Sequence, residues 1–123
     1  MKGKIMQQYG RNNKSLARAI YIEEMNLEDF FVVDIREEEE ALAARIRGVP
    51  NIREPQAICN LAMDFPDKRI LIHCKRGGRA SRMGNILVEM GCKNIYFFDD
   101  LFSRFYEKFE VVGQDKDCMR SMA

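Results

Sequence analysis

Ile70-Leu71-Ile72-His73-Cys74-Lys75-Arg76-Gly77-Gly78-Arg79-Ala80-Ser81 is the stretch whose reading decides the fold. The apolar run at 70–72 reads as a buried strand, and residues 83–90 have the spacing of a helix. A strand that empties into a glycine-containing turn at a helix start gathers several backbone N–H groups around one point. The positive end of the helix dipole makes that point an anion cradle. Cys74 stands at its entrance, with Lys75, Arg76 and Arg79 beside it, so the thiolate is favoured over the thiol. The pattern predicts a reactive thiol next to an anion site.

Outward from this stretch, strands and helices alternate. Phe31-Val32-Val33 is a fully apolar, β-prone run ending at Asp34 and reads as a central parallel strand, with residues 69–73 as the next. Residues 95–98 make a last buried strand, and 17–22 a short edge strand. Residues 23–30 suggest a short helix and turn. Residues 37–44 suggest another short helix, whose four glutamates read as a solvated face rather than a metal site. Gly48-Val49-Pro50-Asn51 is a turn signal before Ile52, which begins a further short strand. Residues 55–63 form a helix with proline in its first turn, and the helix that runs to Met90 is closed by Gly91. Residues 101–109 carry aromatics at helical spacing and read as a core-packed helix. This order predicts an α/β fold with a central parallel sheet flanked by helices. Ligands of such sheets sit beyond the carboxyl ends of the strands, where Asp34 and Cys74 both lie.

A chain of 123 residues is enough for one domain with one core. The expected division is a loose basic segment at 1–16, a folded domain at 17–112 and a flexible tail at 113–123. A net charge of +1 supplies no field to recruit nucleic acid or anionic lipid, so neither is expected as a partner. No apolar run approaches the roughly 20 residues that span a bilayer. The start lacks an apolar signal core, and its basic residues read as a solvated lead-in, with a faint resemblance to an organelle-transit segment. The four cysteines, Cys59, Cys74, Cys92 and Cys118, form no CxxC pair, and the single histidine adjoins Cys74. Neither a zinc site nor a disulfide framework is expected, and reduced thiols point to a cytoplasmic protein. Cys59 and Cys92 read as core. No metal or cofactor is called for.

The chain resembles the rhodanese (thiosulfate sulfurtransferase) domain family, single-domain type, from about residue 19 to 112. Phe31-Val32-Val33-Asp34-Ile35-Arg36-Glu37 followed by Glu39-Glu40 is similar to that family's "(V/I)DVRE…E" signature. Ala44-Arg45-Ile46-Arg47-Gly48-Val49 stands where the family has "GHIPGA", with Arg45 and Arg47 in place of His and Pro. His73-Cys74-Lys75-Arg76-Gly77-Gly78-Arg79-Ala80 resembles its active loop, "CxxGxR(S/T/A)", and Gly91-Cys92-Lys93-Asn94-Ile95-Tyr96 its "G(F/Y)xxV" segment. Asp99-Asp100 stands where relatives carry Gly-Gly, and the family's tryptophan is missing.

The resemblance implies a three-layer rhodanese-like fold and a sulfurtransferase without a cofactor. Cys74 would take a sulfane sulfur from thiosulfate, hold it as a persulfide, and pass it to a thiol or cyanide. The N–H groups of residues 75–80 would stabilise thiolate and persulfide. Lys75 and Arg76 would hold the donor's sulfonate, with Gly77, Gly78 and Ala80 shaping the cradle. Arg79 would either clamp an oxyanion or pair with Asp34 or a glutamate. Asp34 and Arg36 are expected to support the loop, and His73, on the opposite side of the strand from Cys74, to pack rather than act as a base. Cys118 would serve as a resolving thiol only in a minor alternative.

Three other readings stay open. One is a rhodanese-like interaction module without catalysis. Another is a relay that hands sulfur to an acceptor protein. The third is a phosphatase or arsenate reductase, suggested by His73-Cys74…Arg79. It is weakened because four residues, not five, separate Cys74 from Arg79, too few to wrap three phosphoryl oxygens.

Overall fold

In the computed structural model, which describes residues 15–114, successive side chains of β4 (Arg69–His73) turn to opposite faces of a parallel sheet. Ile70 and Ile72 enter one apolar cluster, and Leu71 enters the other. His73 continues the second face against Phe102 and Phe105, while Cys74 returns to the first. The period of two that the sequence carries therefore decides which core each residue feeds.

The sheet has the order β1-β5-β4-β2, all parallel, with β1 at Arg18–Ile20, β2 at Phe30–Asp34 and β5 at Ile95–Phe98. A separate antiparallel pair joins β3 (Arg45–Ile46) to β6 (Val111–Val112). Among the described residues there are three α-helices: α1 (Glu38–Ala43), α2 (Pro55–Asp64) and α3 (Gly78–Glu89). Pro55 opens α2, where its missing N–H costs nothing. Ile58, Cys59 and Ala62 of α2 and Ala80 and Leu87 of α3 cover one face of the sheet. The other face is covered by Ile22 and Met25, by Phe102 and Phe105 of a 3-10 helix at Phe102–Glu107, and by Ile46 and Val111 of the small sheet. This is the expected mixed α/β fold, a central parallel sheet of four strands flanked by helices.

Four details differ from the sequence reading. First, among the described residues β2 is an edge strand, its free side meeting a bridge from Asp34 to Asn51, and Ile52 starts no strand of its own. An apolar run looks alike at the edge or the centre once both faces are covered. Second, α3 begins at Gly78, well before Met83, because its first turn is built on the loop glycines. Third, the aromatic segment after Asp100 winds as a 3-10 helix, with Phe102 and Phe105 buried but Tyr106 exposed. Fourth, Asp99 and Asp100 are both buried, a placement that their charge does not announce. Tyr21 Oη donates to Asp99 over 3.4 Å, and Asp100 accepts the Leu101 N–H at 2.8 Å.

Of the expected lead-in and tail, only Ser15, Leu16, Gly113 and Gln114 fall among the described residues; Cys118 lies outside them. Ser15 Oγ donates to Ser81 O at 2.8 Å, and Leu16 N–H to Asn85 Oδ1 at 2.6 Å, so the chain enters the fold along α3.

Candidate active site

Cys74 follows directly on the carboxyl end of β4, and four residues later the chain is already helical. So abrupt a turn needs a residue that tolerates positive φ. Gly77 supplies it, capping α3 in the left-handed region at φ +100°. Its carbonyl then accepts the Ser81 N–H at 2.8 Å, the first hydrogen bond of the helix. This geometry folds the α3 N-terminus around the cysteine. The Gly77 N–H lies 3.1 Å and the Ala80 N–H 3.4 Å from Cys74 Sγ, which is 1 % exposed. Both amides donate to the sulfur, and the helix dipole adds its positive end. A negative charge placed on that sulfur would meet donors already in place.

The loop is held from below by a buried ion pair. Arg36 Nη2 donates to Asp34 Oδ2 at 2.8 Å and its Nε to Oδ1 at 3.0 Å, with both side chains at most 5 % exposed. The same Nη2 reaches Ala44 O at 2.6 Å, and the guanidinium lies 4.1 Å over the Phe102 ring. Phe102 in turn donates its N–H to Lys75 O at 2.8 Å. Asp34, Arg36, Phe102 and the cysteine loop are thus connected.

Arg79 is paired with an acidic side chain. Its Nη1 and Nη2 donate to the two carboxylate oxygens of Glu40 at 2.8 and 3.0 Å. This fork lowers the Glu40 carboxyl to about 2 and raises the guanidinium further. Glu40 was the residue hidden in the acidic run. Its other task, accepting the Glu37 N–H at 2.9 Å, is legible as a cap three residues on, but its pairing with Arg79 is not. Glu38 and Glu39 are solvated, as expected.

Lys75 and Arg76 are exposed, and among the described residues neither has an ion-pair partner. Both line a cavity of about 470 Å³ together with Arg36, Glu40, Phe102 and Tyr106. Asp99 and Asp100 do not line it. Gly78 is half-buried at the helix start. His73 is fully buried on the far face, its Nδ1 3.5 Å from Cys74 O and its Nε2 without a hydrogen-bond partner among the described residues. Burial pushes its pKa down to about 4, so it packs as a neutral ring. Among the described residues no cluster of side chains suits a metal ion.

Residues 17–108 match the family described as the rhodanese-like domain. The solution structure of protein hp1203 from Helicobacter pylori is similar with a TM-score of 0.68 and 28% identity, over 80% of this chain and 91% of that one. A NAD-dependent persulfide reductase from A. fulgidus has a TM-score of 0.53 and 21% identity over 83% of this chain. Reduced CoADR-RHD from Bacillus anthracis has a TM-score of 0.54 and 23% identity over 81% of this chain. In each of these two the match spans 17% of the longer protein, and at such identities the likeness concerns the fold alone. No curated protein matches the chain.

Proposed function

This chain belongs to the rhodanese-like domain family, and from that premise we propose that it is a sulfurtransferase working through a persulfide on Cys74. The thiolate attacks the outer sulfur of thiosulfate or a related sulfane donor. The S–S bond of the donor breaks, sulfite leaves with the electron pair, and Cys74 keeps the sulfur as a persulfide anion. A cyanide or thiolate acceptor then attacks the terminal sulfur and releases thiocyanate or a new persulfide, regenerating the Cys74 thiolate. One observation carries the proposal: Cys74 Sγ sits 3.1 and 3.4 Å from two N–H donors at a helix start, where each successive anion needs them.

Lys75 and Arg76 are the cations left over to hold the sulfonate, whereas Arg79 positions the loop through Glu40. The Arg79–Glu40 fork also speaks against phosphatase chemistry, which needs that arginine on the phosphoryl oxygens. A relay to an acceptor protein is the second reading. It draws support from Leu101 and Tyr106, 38 % and 41 % exposed at the cavity, an apolar rim that thiosulfate alone does not use.

The test is intact-protein mass after incubation with thiosulfate, wild type beside Cys74→Ser. A gain of one sulfur, removed by cyanide and missing in the variant, is the expected result. If thiosulfate, mercaptopyruvate and a small persulfide donor all leave the mass unchanged, the enzyme reading fails and the interaction-module reading takes its place. With thiosulfate as donor, replacing Lys75 and Arg76 together by Ala is expected to raise KM about tenfold with kcat nearly kept. The gap should narrow as salt is added, because exposed charges are screened. A fall confined to kcat would place the two cations elsewhere in the mechanism.

A further inference from the structure

Cys59 and Cys92 are 33 positions apart in the chain, and both are buried. Cys59 lies inside α2, facing the sheet. Cys92 is placed by the close of α3: Gly91, at φ +102°, donates its N–H to Val88 O at 3.0 Å, and the Cys92 N–H reaches Leu87 O at 3.1 Å. These paired bonds are the Schellman arrangement, which fixes the residue after the glycine. The two thiols meet with Cys92 Sγ donating to Cys59 Sγ at 2.8 Å. Two thiolates on one tetrahedral zinc ion stand about 3.8 Å apart, so the pair is too close to be half of such a site.

We propose that Cys59 and Cys92 are a redox-modification site, closing an internal disulfide when the protein meets peroxide. In the first step the Cys92 thiolate attacks a peroxide oxygen, the O–O bond breaks, and sulfenic acid and hydroxide form. In the second the Cys59 thiolate attacks the Cys92 sulfur, the S–O bond breaks, and a second hydroxide leaves. The two thiol protons convert both hydroxides to water, so two sulfurs are each oxidised by one electron and one peroxide is reduced. Cys92 is the residue the oxidant reaches first. It lines two surface depressions, one with Arg18 and Tyr96, the other with Met63 and Pro66. Burial, followed by the contact with Cys59, pushes its thiol up to about 12.

The residues between the two sulfurs contain β4, the Cys74 loop and α3, so the bond closes a ring around the proposed active segment. It ties α2 to the end of the helix whose start holds Cys74. The proposal is independent of the sulfur-transfer reading, since it needs nothing from Cys74.

The four cysteines fall in separate tryptic peptides, which makes the test direct. The full chain is treated with hydrogen peroxide, unreacted thiols are alkylated, and the digest is mapped without reduction. The expected product links peptides 54–68 and 83–93. The melting temperature should rise by on the order of 10 °C and fall back with dithiothreitol. Cys59→Ala and Cys92→Ala should each lose both the link and the rise; either variant that folds suffices. Links running only through Cys74 or Cys118 would overturn the proposal, as would Cys59 and Cys92 both remaining open to alkylation after unfolding.

Discussion

Asp34→Ala is expected to destabilise the protein by about 3–5 kcal/mol, lowering its melting temperature by roughly 20 °C. Asp34 gives Arg36 two carboxylate oxygens and also accepts its backbone N–H at 2.9 Å. Removing the carboxylate leaves a guanidinium that is 5 % exposed with the Ala44 carbonyl and the Phe102 ring as its remaining partners. The cost is that of an uncompensated buried charge rather than the net worth of the pair. For that reason Asp34→Ala with Arg36→Met should recover a good part of the loss, because an apolar pair has no charge to strand. Urea denaturation of the single and double variants measures both values. A loss below about 1 kcal/mol in Asp34→Ala would show that the pair does not hold the loop floor.

The second large effect is acid lability from His73. Its folded pKa is about 4 against an ordinary value of 6.5, so in the window between them the unfolded chain binds the proton and the folded one does not. Stability is then complete above about pH 6.5 and declines as pH falls toward 4, by about 2–3 kcal/mol at pH 4.5. Glu40 works in a lower window. Its folded pKa of about 2 against 4.5 gives stability that is lost only as pH falls from 4.5 toward 2, and partial exposure of the pair reduces it. The two contributions are therefore separable on the pH axis. His73→Phe, packed against Phe102 and Phe105, should flatten the profile between pH 6.5 and 4.5. An unchanged slope in that variant would assign the acid lability to other groups.

How much of this was legible in the sequence follows from which forces are local. The strands at Arg69–His73 and Ile95–Phe98 were read from their apolar runs, because a strand buried on both faces has few other compositions open to it. The Cys74 loop was read because an anion cradle needs glycine, N–H groups and a helix start in immediate succession, and those are neighbours in the chain. Asp34 and Arg36 were read as supports, and they pair across two positions. The early start of α3 and the 3-10 winding at Phe102–Glu107 were missed. The first is set by the loop glycines on which the opening turn is built, the second by the Arg36 and His73 side chains that the segment packs against.

Sequence by itself determined the fold class, the nucleophile candidate and the donors that surround it, since each rests on residues within one turn or one strand of one another. Tertiary structure alone decided that β2 is an edge strand. It also gave Arg79 to Glu40 across 39 positions, buried Asp99 and Asp100 away from the cavity, and brought Cys59 to Cys92 across 33. Such pairings depend on how helices settle on the sheet, through apolar contacts that carry no direction of their own, so nothing in the local composition of either partner announces the other.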